Sequence, residues 1–339
     1  MLSQVGSSSR SQSRLPFVAA DVGGTFARLG LVSTLNNDGR PVSLDPFRTF
    51  RCGEYPSLGA IFRDFLSGVP SFRVRHGAVA SAGYPLGEAV LHTNLPWPVD
   101  VGALREDLGF ADLSLINDFA AIAYGTQFVE PGDMITLSAV ATPVVNGPRI
   151  VLGPGTGLGG AALIPGRHAP AVLSTEVGQA SFAPTTDLEL EILAVLRKRF
   201  SHVSIERLVS GPGLANIYSA LATVRGQAAR YDTPEEVSAA ALTGGDALAS
   251  ESLGVFCGAM GSVAGDLALL YGAHGGVHLA GGILPRIKDF LRQSDFMERF
   301  MSKGAMRTLL ERVPVKLIEH GQLGAIGAAS WYLDSQPEA

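Results

Sequence analysis

The feature that most constrains this chain is glycine placed directly after apolar, strand-like runs. In RIVLGPGTGLGGAALIP, residues 149–165, five glycines fall within the eight residues from Gly153 to Gly160. Each glycine loses more chain entropy on folding than any other residue, and a strand interior gains nothing from it. A ligand that must approach the backbone closely is the simplest reason to keep them. A second run, LPFVAADVGGTFARLGLVST at residues 15–34, repeats the plan of strand, tight turn and strand. Here Asp21 ends the first strand, and Gly23, Gly24 and Thr25 make the turn. Both runs read as β-hairpins, which hints at an internal duplication.

Composition says how such loops would bind a charged ligand. The 339 residues are 46% apolar and 17% charged, the balance of a globular protein large enough for two domains. Net charge is −5 and no basic stripe occurs, so nucleic acid is not an expected partner. A phosphate would have to be held locally, by backbone N–H groups, a helix end or a metal. The two cysteines, Cys52 and Cys257, form neither a CxxC pair nor a zinc spacing, which fits a reduced, cytoplasmic compartment. No apolar run is expected to cross a bilayer. Residues 1–15 are Ser-rich without an apolar core and read as a disordered extension rather than a secretory signal.

Along the chain, strands alternate with helices, which makes the class α/β. Helices are expected over about Ser57–Ser67, Val101–Leu108, from Asp118 onward, and over Asp246–Tyr271. Thr186 with Glu189, and Thr233 with Pro234 and Glu236, read as helix starts, the former as a capping box. Strands are expected at HGAVASAG, DLSLIND, GVHLAGGI and PVKLIEH, with a closing helix at LGAIGAASWYL.

The glycine loop also fits G-x-G-x-x-G at Gly155, Gly157 and Gly160. That would suggest a nicotinamide oxidoreductase, but AALIP reads as a strand where the dinucleotide fold needs a helix. No Walker P-loop is present. Phosphoryl transfer to an alcohol needs a carboxylate to accept the hydroxyl proton. Asn117-Asp118, at the end of the apolar strand LSLI, is placed for that, although either residue also suits a helix cap. Neutral sugars are held by carboxylates and amides, for which Asn94, Glu176 and Glu206 are candidates. Gly281-Gly282 ends another buried strand. None of the seven histidines has metal-ligand spacing.

Taken together, DVGGTFARL, INDF, GPGTGLG, HVSIERLVSGPGL and GGVHLAGGILPR resemble, in order, blocks of the bacterial glucokinase family. The resemblance runs from about Phe17 to about Leu333. It implies two actin-like (ribonuclease H-like) α/β domains flanking a ligand cleft. The small domain would be residues 16–128 plus about 322–337, and the large one 129–321. It implies a homodimeric ATP- and Mg2+-dependent hexose kinase, with Asp118 as general base on the 6-hydroxyl of glucose. Asn94, Asn117, Glu176 and Glu206 would hold the sugar. Asp21, Gly23, Gly24, Thr25, Gly155, Thr156, Gly157, Gly281 and Gly282 would serve the nucleotide, Asp21 meeting magnesium through water. In one place the chain departs from the family. Glu176-Val177-Gly178-Gln179 stands where Glu-Gly-Gly-His is usual, so Gln179 would meet the sugar in place of a histidine. Gln179 can donate and accept but cannot become cationic. Val177 forgoes the positive φ open to glycine. This departure motivates a second reading, a sugar sensor or a kinase of altered hexose specificity.

Overall fold

Phe17–Val22 is apolar but for Asp21, and a strand apolar on both faces belongs in the middle of a sheet. The structure, a computed structural model that describes residues 16–34, 42–69, 74–91, 95–138, 140, 146–167 and 169–335, places it there. The 1–15 extension and Asn94 lie outside the described residues. Strand β1 (Phe17–Val22) pairs antiparallel with β2 (Phe26–Thr34), and β2 likewise with β3 (Ser43–Arg51). On its other side β1 runs parallel to β4 (His76–Ser81), which runs parallel to β7 (Asp112–Asn117). The order is β3-β2-β1-β4-β7, with a separate ribbon of β5 (Tyr84–Leu86) and β6 (Ala89–Leu91).

A second sheet repeats this order. Strands β9 (Arg149–Pro154) and β10 (Leu158–Ile164) form its hairpin, flanked by β11 (Ala171–Thr175). On the far side β12 (Gly276–Leu279) and β13 (Val315–Ile318) run parallel to β9. An extra antiparallel edge strand, β8 (Met134–Thr136), completes the order β11-β10-β9-β12-β13-β8. The hinted duplication is therefore present in the strand order itself.

The chain divides into two compact units, Met1–Pro131 with His168–Val172 and His320–Ala339, and Gly132–Arg167 with Leu173–Glu319. In the first, Ile61, Phe62 and Phe65 of helix Leu58–Ser67 pack under the sheet with Trp97 and Leu104. The C-terminal helix Leu323–Asp334 belongs to this unit and lies against helix Asp118–Gly125. Glycine makes that contact possible: a Cβ on Gly125 would lie 2.7 Å from Leu323 Cδ1, and one on Gly327 would overlap Ala121 O.

In the second unit helix Ala247–Leu270 is, by length and composition, long and apolar enough to cross a membrane, which the sequence reading did not expect. Here it is a core helix. Its Gly261 and Gly265 admit the backbone of helix Phe296–Met301 so closely that a Cβ at either would strike Phe296 O or Phe300 O. Thr233 and Glu236 form the complete capping box. The box expected at Thr186 is displaced. Thr186 Oγ1 accepts from Glu189 N–H at 3.2 Å, but the Glu189 carboxylate reaches back to Thr185 N–H at 2.7 Å instead. The Glu189 carboxylate is drawn there because it also pairs with Arg299 at 2.6 Å, buried.

Candidate active site

In the first unit the candidate residues gather at one edge. Val22, Ser81 and Asn117 are in register across β1, β4 and β7, at the carboxyl ends of three parallel strands. Ligand sites of open α/β sheets lie beyond such ends. Asn117 is the N-cap of helix Asp118–Gly125. Its Oδ1 accepts from Ala120 N–H at 3.0 Å and its Nδ2 donates to Gly83 O at 3.1 Å. An amide has two lone pairs and two N–H groups, so each atom retains capacity for a hydroxyl. Asp118 is the first helical residue, half-buried, its Oδ1 2.9 Å from Phe119 N. Negative charge is favoured at a helix N-terminus.

The turn after β1 is closed by Gly23 N–H donating to Phe26 O at 3.0 Å, and Thr25 is exposed. Asp21 lies one residue inside the strand end, paired with Arg28 across the hairpin at 3.5 Å. Burial pushes its carboxyl above the usual aspartate range, with Arg28 pulling the other way. The first turn of helix Leu323–Asp334 meets it directly: a Cβ on Gly324 would be 2.7 Å from Asp21 Cγ. Neither Arg28 nor Gly324 is distinguishable in the sequence, because only the hairpin register and a contact with the C-terminal helix bring them to Asp21.

In the second unit the glycine loop joins β9 to β10, with Gly155 N–H donating to Gly157 O at 2.7 Å. Leu158–Ile164 is a strand, so the dinucleotide fingerprint lacks its helix. The Glu206 carboxylate lies on this loop, Oε2 accepting from Leu158 N–H at 2.9 Å. A Cβ on Gly157 would be 2.5 Å from that oxygen, and one on Gly178 3.2 Å from it. Glu206 therefore links the phosphate loop to the Glu176–Gln179 segment. Glu176 and Gln179 are both exposed. Val177 begins a 3-10 turn, whose right-handed backbone suits valine, and packs where a Cβ on Gly160 would be 2.8 Å from its Cγ1. Gln179 O accepts from His202 Nε2 at 2.9 Å, which fixes the imidazole tautomer.

The sequence reading gives close approach of a ligand as the reason for these glycines, and positive φ is not a second one: Gly23, Gly24, Gly155 and Gly157 all have φ outside the positive region. A Cβ on Gly155 or Gly282 would meet nothing within 4 Å, and one on Gly23 only Phe26 O at 3.7 Å. The fold alone does not demand glycine at these three positions, which leaves open backbone that a phosphate can approach. Gly281 differs, with φ of 97° and a Cβ position 2.7 Å from Pro154 O.

The sequence reading missed the Ser210-Gly211 junction, whose signal was a Ser-Gly-Pro-Gly helix start. Ser210 caps helix Gly211–Arg225 by accepting from Gly213 N–H at 2.9 Å, and Gly211 N–H donates to Gly155 O at 2.8 Å. The positive end of this 15-residue helix thus adjoins the loop. Beside it opens a small recess of about 50 Å³ walled by Ser210, Leu214, Pro234, Phe256, Ile283 and Arg286. Apolar walls with a few polar groups suit a flat heterocycle.

Fold and site together define a nucleotide-binding enzyme of the actin-like ATPase fold. The glucokinase family profile matches residues 18–335. A glucokinase-like protein of Xylella fastidiosa strain Temecula1 is 47% identical over 321 residues, 94% of this chain and 95% of that protein. A glucokinase of Saccharophagus degradans strain 2-40 is 38% identical over 316 residues, covering 93% and 98%. Among solved structures, a glucokinase from an Antarctic psychrotroph superposes with a TM-score of 0.84 at 38% identity, covering 95% of this chain and 99% of that one. The chain belongs to the glucokinase family.

Proposed function

We propose that this family member transfers the γ-phosphoryl group of ATP to the 6-hydroxyl of glucose. The observation that carries the reading is the Gly211 N–H···O=C Gly155 bond, which joins the wall of the heterocycle cavity to the phosphate loop. A base in the cavity then has its phosphates at Gly155, Thr156 and Gly157, with Gly281 and Gly282 alongside. Asp118 accepts the O6 proton as the O6–phosphorus bond forms and the bond to ADP breaks. Asn94, Asn117, Glu176, Gln179 and Glu206 hold the remaining hydroxyls. In the first unit the turn of Gly23, Gly24 and Thr25 likewise offers backbone to a phosphate.

Magnesium fits the donor set at Asp21. That cation is ordinarily held by one or two carboxylates plus substrate phosphates. A carboxylate whose charge is opposed by burial, with only a 3.5 Å pair to Arg28, gains most from a cation. When bound, the ion neutralises charge developing on the transferred group. The functional bodies on this reading are residues 16–128 with about 322–337, and residues 129–321, in a cytoplasmic homodimer. Two buried free cysteines support the reduced compartment.

A second reading is favoured by Gln179, a neutral and exposed side chain, and is a sugar sensor or a kinase for another hexose. ADP release with ATP and magnesium across glucose, mannose, fructose, galactose and N-acetylglucosamine separates the two. Turnover on glucose that falls about 10²–10⁴-fold in Asp118→Asn, with glucose binding kept, is the expected result. Sugar binding without turnover on any hexose would replace the kinase by the sensor.

A further inference from the structure

Trp97 and Cys52 lie outside every role assigned so far, yet both are buried, Cys52 bonds the first glycine turn, and Trp97 bonds Cys52. Cys52 opens a 3-10 turn, Cys52–Glu54, directly after β3, and is fully buried. Its N–H donates to Thr25 O at 3.0 Å, and its Sγ–H donates to Gly23 O at 3.5 Å. Two carbonyls of the glycine turn are thus held from the protein side. The Gly23–Gly24 peptide is trans and planar, so its N–H points opposite to its carbonyl. Anchoring Gly23 O on Cys52 therefore aims Gly24 N–H away from Cys52, which is fully buried, while the neighbouring Thr25 is exposed.

The Cys52 turn is in turn fixed by Trp97. The indole is 7% exposed, and its Nε1–H is shared between Tyr55 O at 3.1 Å and Cys52 O at 3.4 Å. An indole has one donor and no acceptor, so this one group is spent wholly on the two carbonyls that bracket the 3-10 turn. The Tyr55 ring packs edge-on against Phe50, centroids 5.8 Å apart, and its hydroxyl donates to Asp64 Oδ2 at 2.5 Å. The turn is thereby held at both ends.

We infer that Trp97 is a positioning residue for the kinase reaction, holding the Cys52–Glu54 turn so that Cys52 fixes the Gly24 amide toward a nucleotide phosphate. This rests on the reading of Gly23, Gly24 and Thr25 as a phosphate turn. Trp97 touches neither substrate. It acts through two hydrogen-bonded steps, from indole to turn and from turn to glycine loop. The open space at a Gly23 Cβ accommodates a phosphate only if the loop is held in one orientation, since glycine itself imposes none.

The test is steady-state kinetics on the full chain with glucose and ATP-Mg2+ varied in turn. Trp97→Phe keeps the aromatic packing and removes the donor. The KM for ATP should rise about two- to tenfold, the size of one lost hydrogen bond, while the KM for glucose moves less than about twofold. Cys52→Ala should act in the same direction, with Cys52→Ser, which restores a donor, recovering most of the loss. In a double-mutant cycle, Trp97→Phe with Thr25→Ala should cost less than the product of the two, since both act on one turn. An unchanged KM for ATP in both Trp97→Phe and Cys52→Ala overturns the inference, as does an equal rise in both KM values. Should Trp97→Phe fail to fold, the Cys52 pair decides alone. If Thr25→Ala leaves the KM for ATP unchanged, the phosphate reading of the turn falls and takes the brace with it. An effect of Thr25→Ala without one of Trp97→Phe sinks the brace alone.

Discussion

The two glycine hairpins sit at the same place in two sheets of the same order, yet they use glycine for different physical reasons. The Gly23–Thr25 turn is open on its outer side, with space at Gly23 and a carboxylate, Asp21, at its base. The Gly153–Gly160 loop is crowded. A Cβ at Gly157 or Gly160 would strike Glu206 or Val177, while one at Gly155 would face empty space. The first turn is held from below by a cysteine and a tryptophan. The second is held from above by a glutamate and by the start of a helix. The two sheets share one strand order, and the hairpin of each is fixed by unrelated side chains.

The largest expected effect concerns the strands that neighbour the hairpins. In the second unit His278 of β12 is buried, and its Nδ1 has no partner among the described residues. Burial first, then Arg149 and Lys316, push its pKa from 6.5 down to about 3. The folded protein thus refuses a proton that the unfolded chain accepts, and stability rises with pH across this window. Stability should therefore fall as pH drops below 6.5 toward 3, by about 1.4 kcal/mol per pH unit from this residue. In the equivalent parallel strand of the first unit, β4, the buried residues Gly77 to Ser81 carry no titratable side chain, so none of them adds such a slope. Urea unfolding between pH 7 and 4.5 measures it, and His278→Leu should flatten the curve. An unchanged slope in that variant would remove the contrast between the units.

Next comes a direct comparison of crowded and open glycines. Gly157→Ala must push the Glu206 carboxylate off Leu158 N–H, breaking a charged hydrogen bond worth about 1.5–3 kcal/mol. Thermal unfolding should shift down and turnover should fall. Gly155→Ala should leave the midpoint almost unchanged, because its Cβ meets nothing within 4 Å, while raising the KM for ATP. Equal loss of stability in both variants would show that the loop has no open side.

The smallest effect is at the base of the first turn. The Asp21 pKa is raised, so the folded state holds the proton more tightly than the unfolded one. Ionisation then costs stability as pH rises above the ordinary aspartate range. Asp21→Asn should raise the unfolding midpoint slightly at pH 7 while lowering ATP turnover, a trade of stability for function. Calorimetry beside the ADP assay reads both, and a lower midpoint would mean that the Arg28 pair outweighs burial.

Sequence alone determined what short-range physics controls. Alternation of apolar strands with capped helices set the α/β class. Thr233, Pro234 and Glu236 fixed a helix start to the residue, because capping is a local hydrogen bond. Asn117 was legible both as a cap and as a sugar contact, and the local bond to Ala120 N–H shows the cap. The glycine loops announced where a ligand would approach, and five blocks in order announced the family. Tertiary structure decided everything that depends on which distant residues share a surface. Only the register of β1 with β2 puts Arg28 on Asp21, only chain reversal puts Gly324 there, and only packing lays Glu206 across Gly157. The same holds for the valine at 177, which in sequence showed only that it forgoes the positive φ open to glycine. Its right-handed backbone and its buried seat against Gly160 are consequences of packing, which no local pattern encodes.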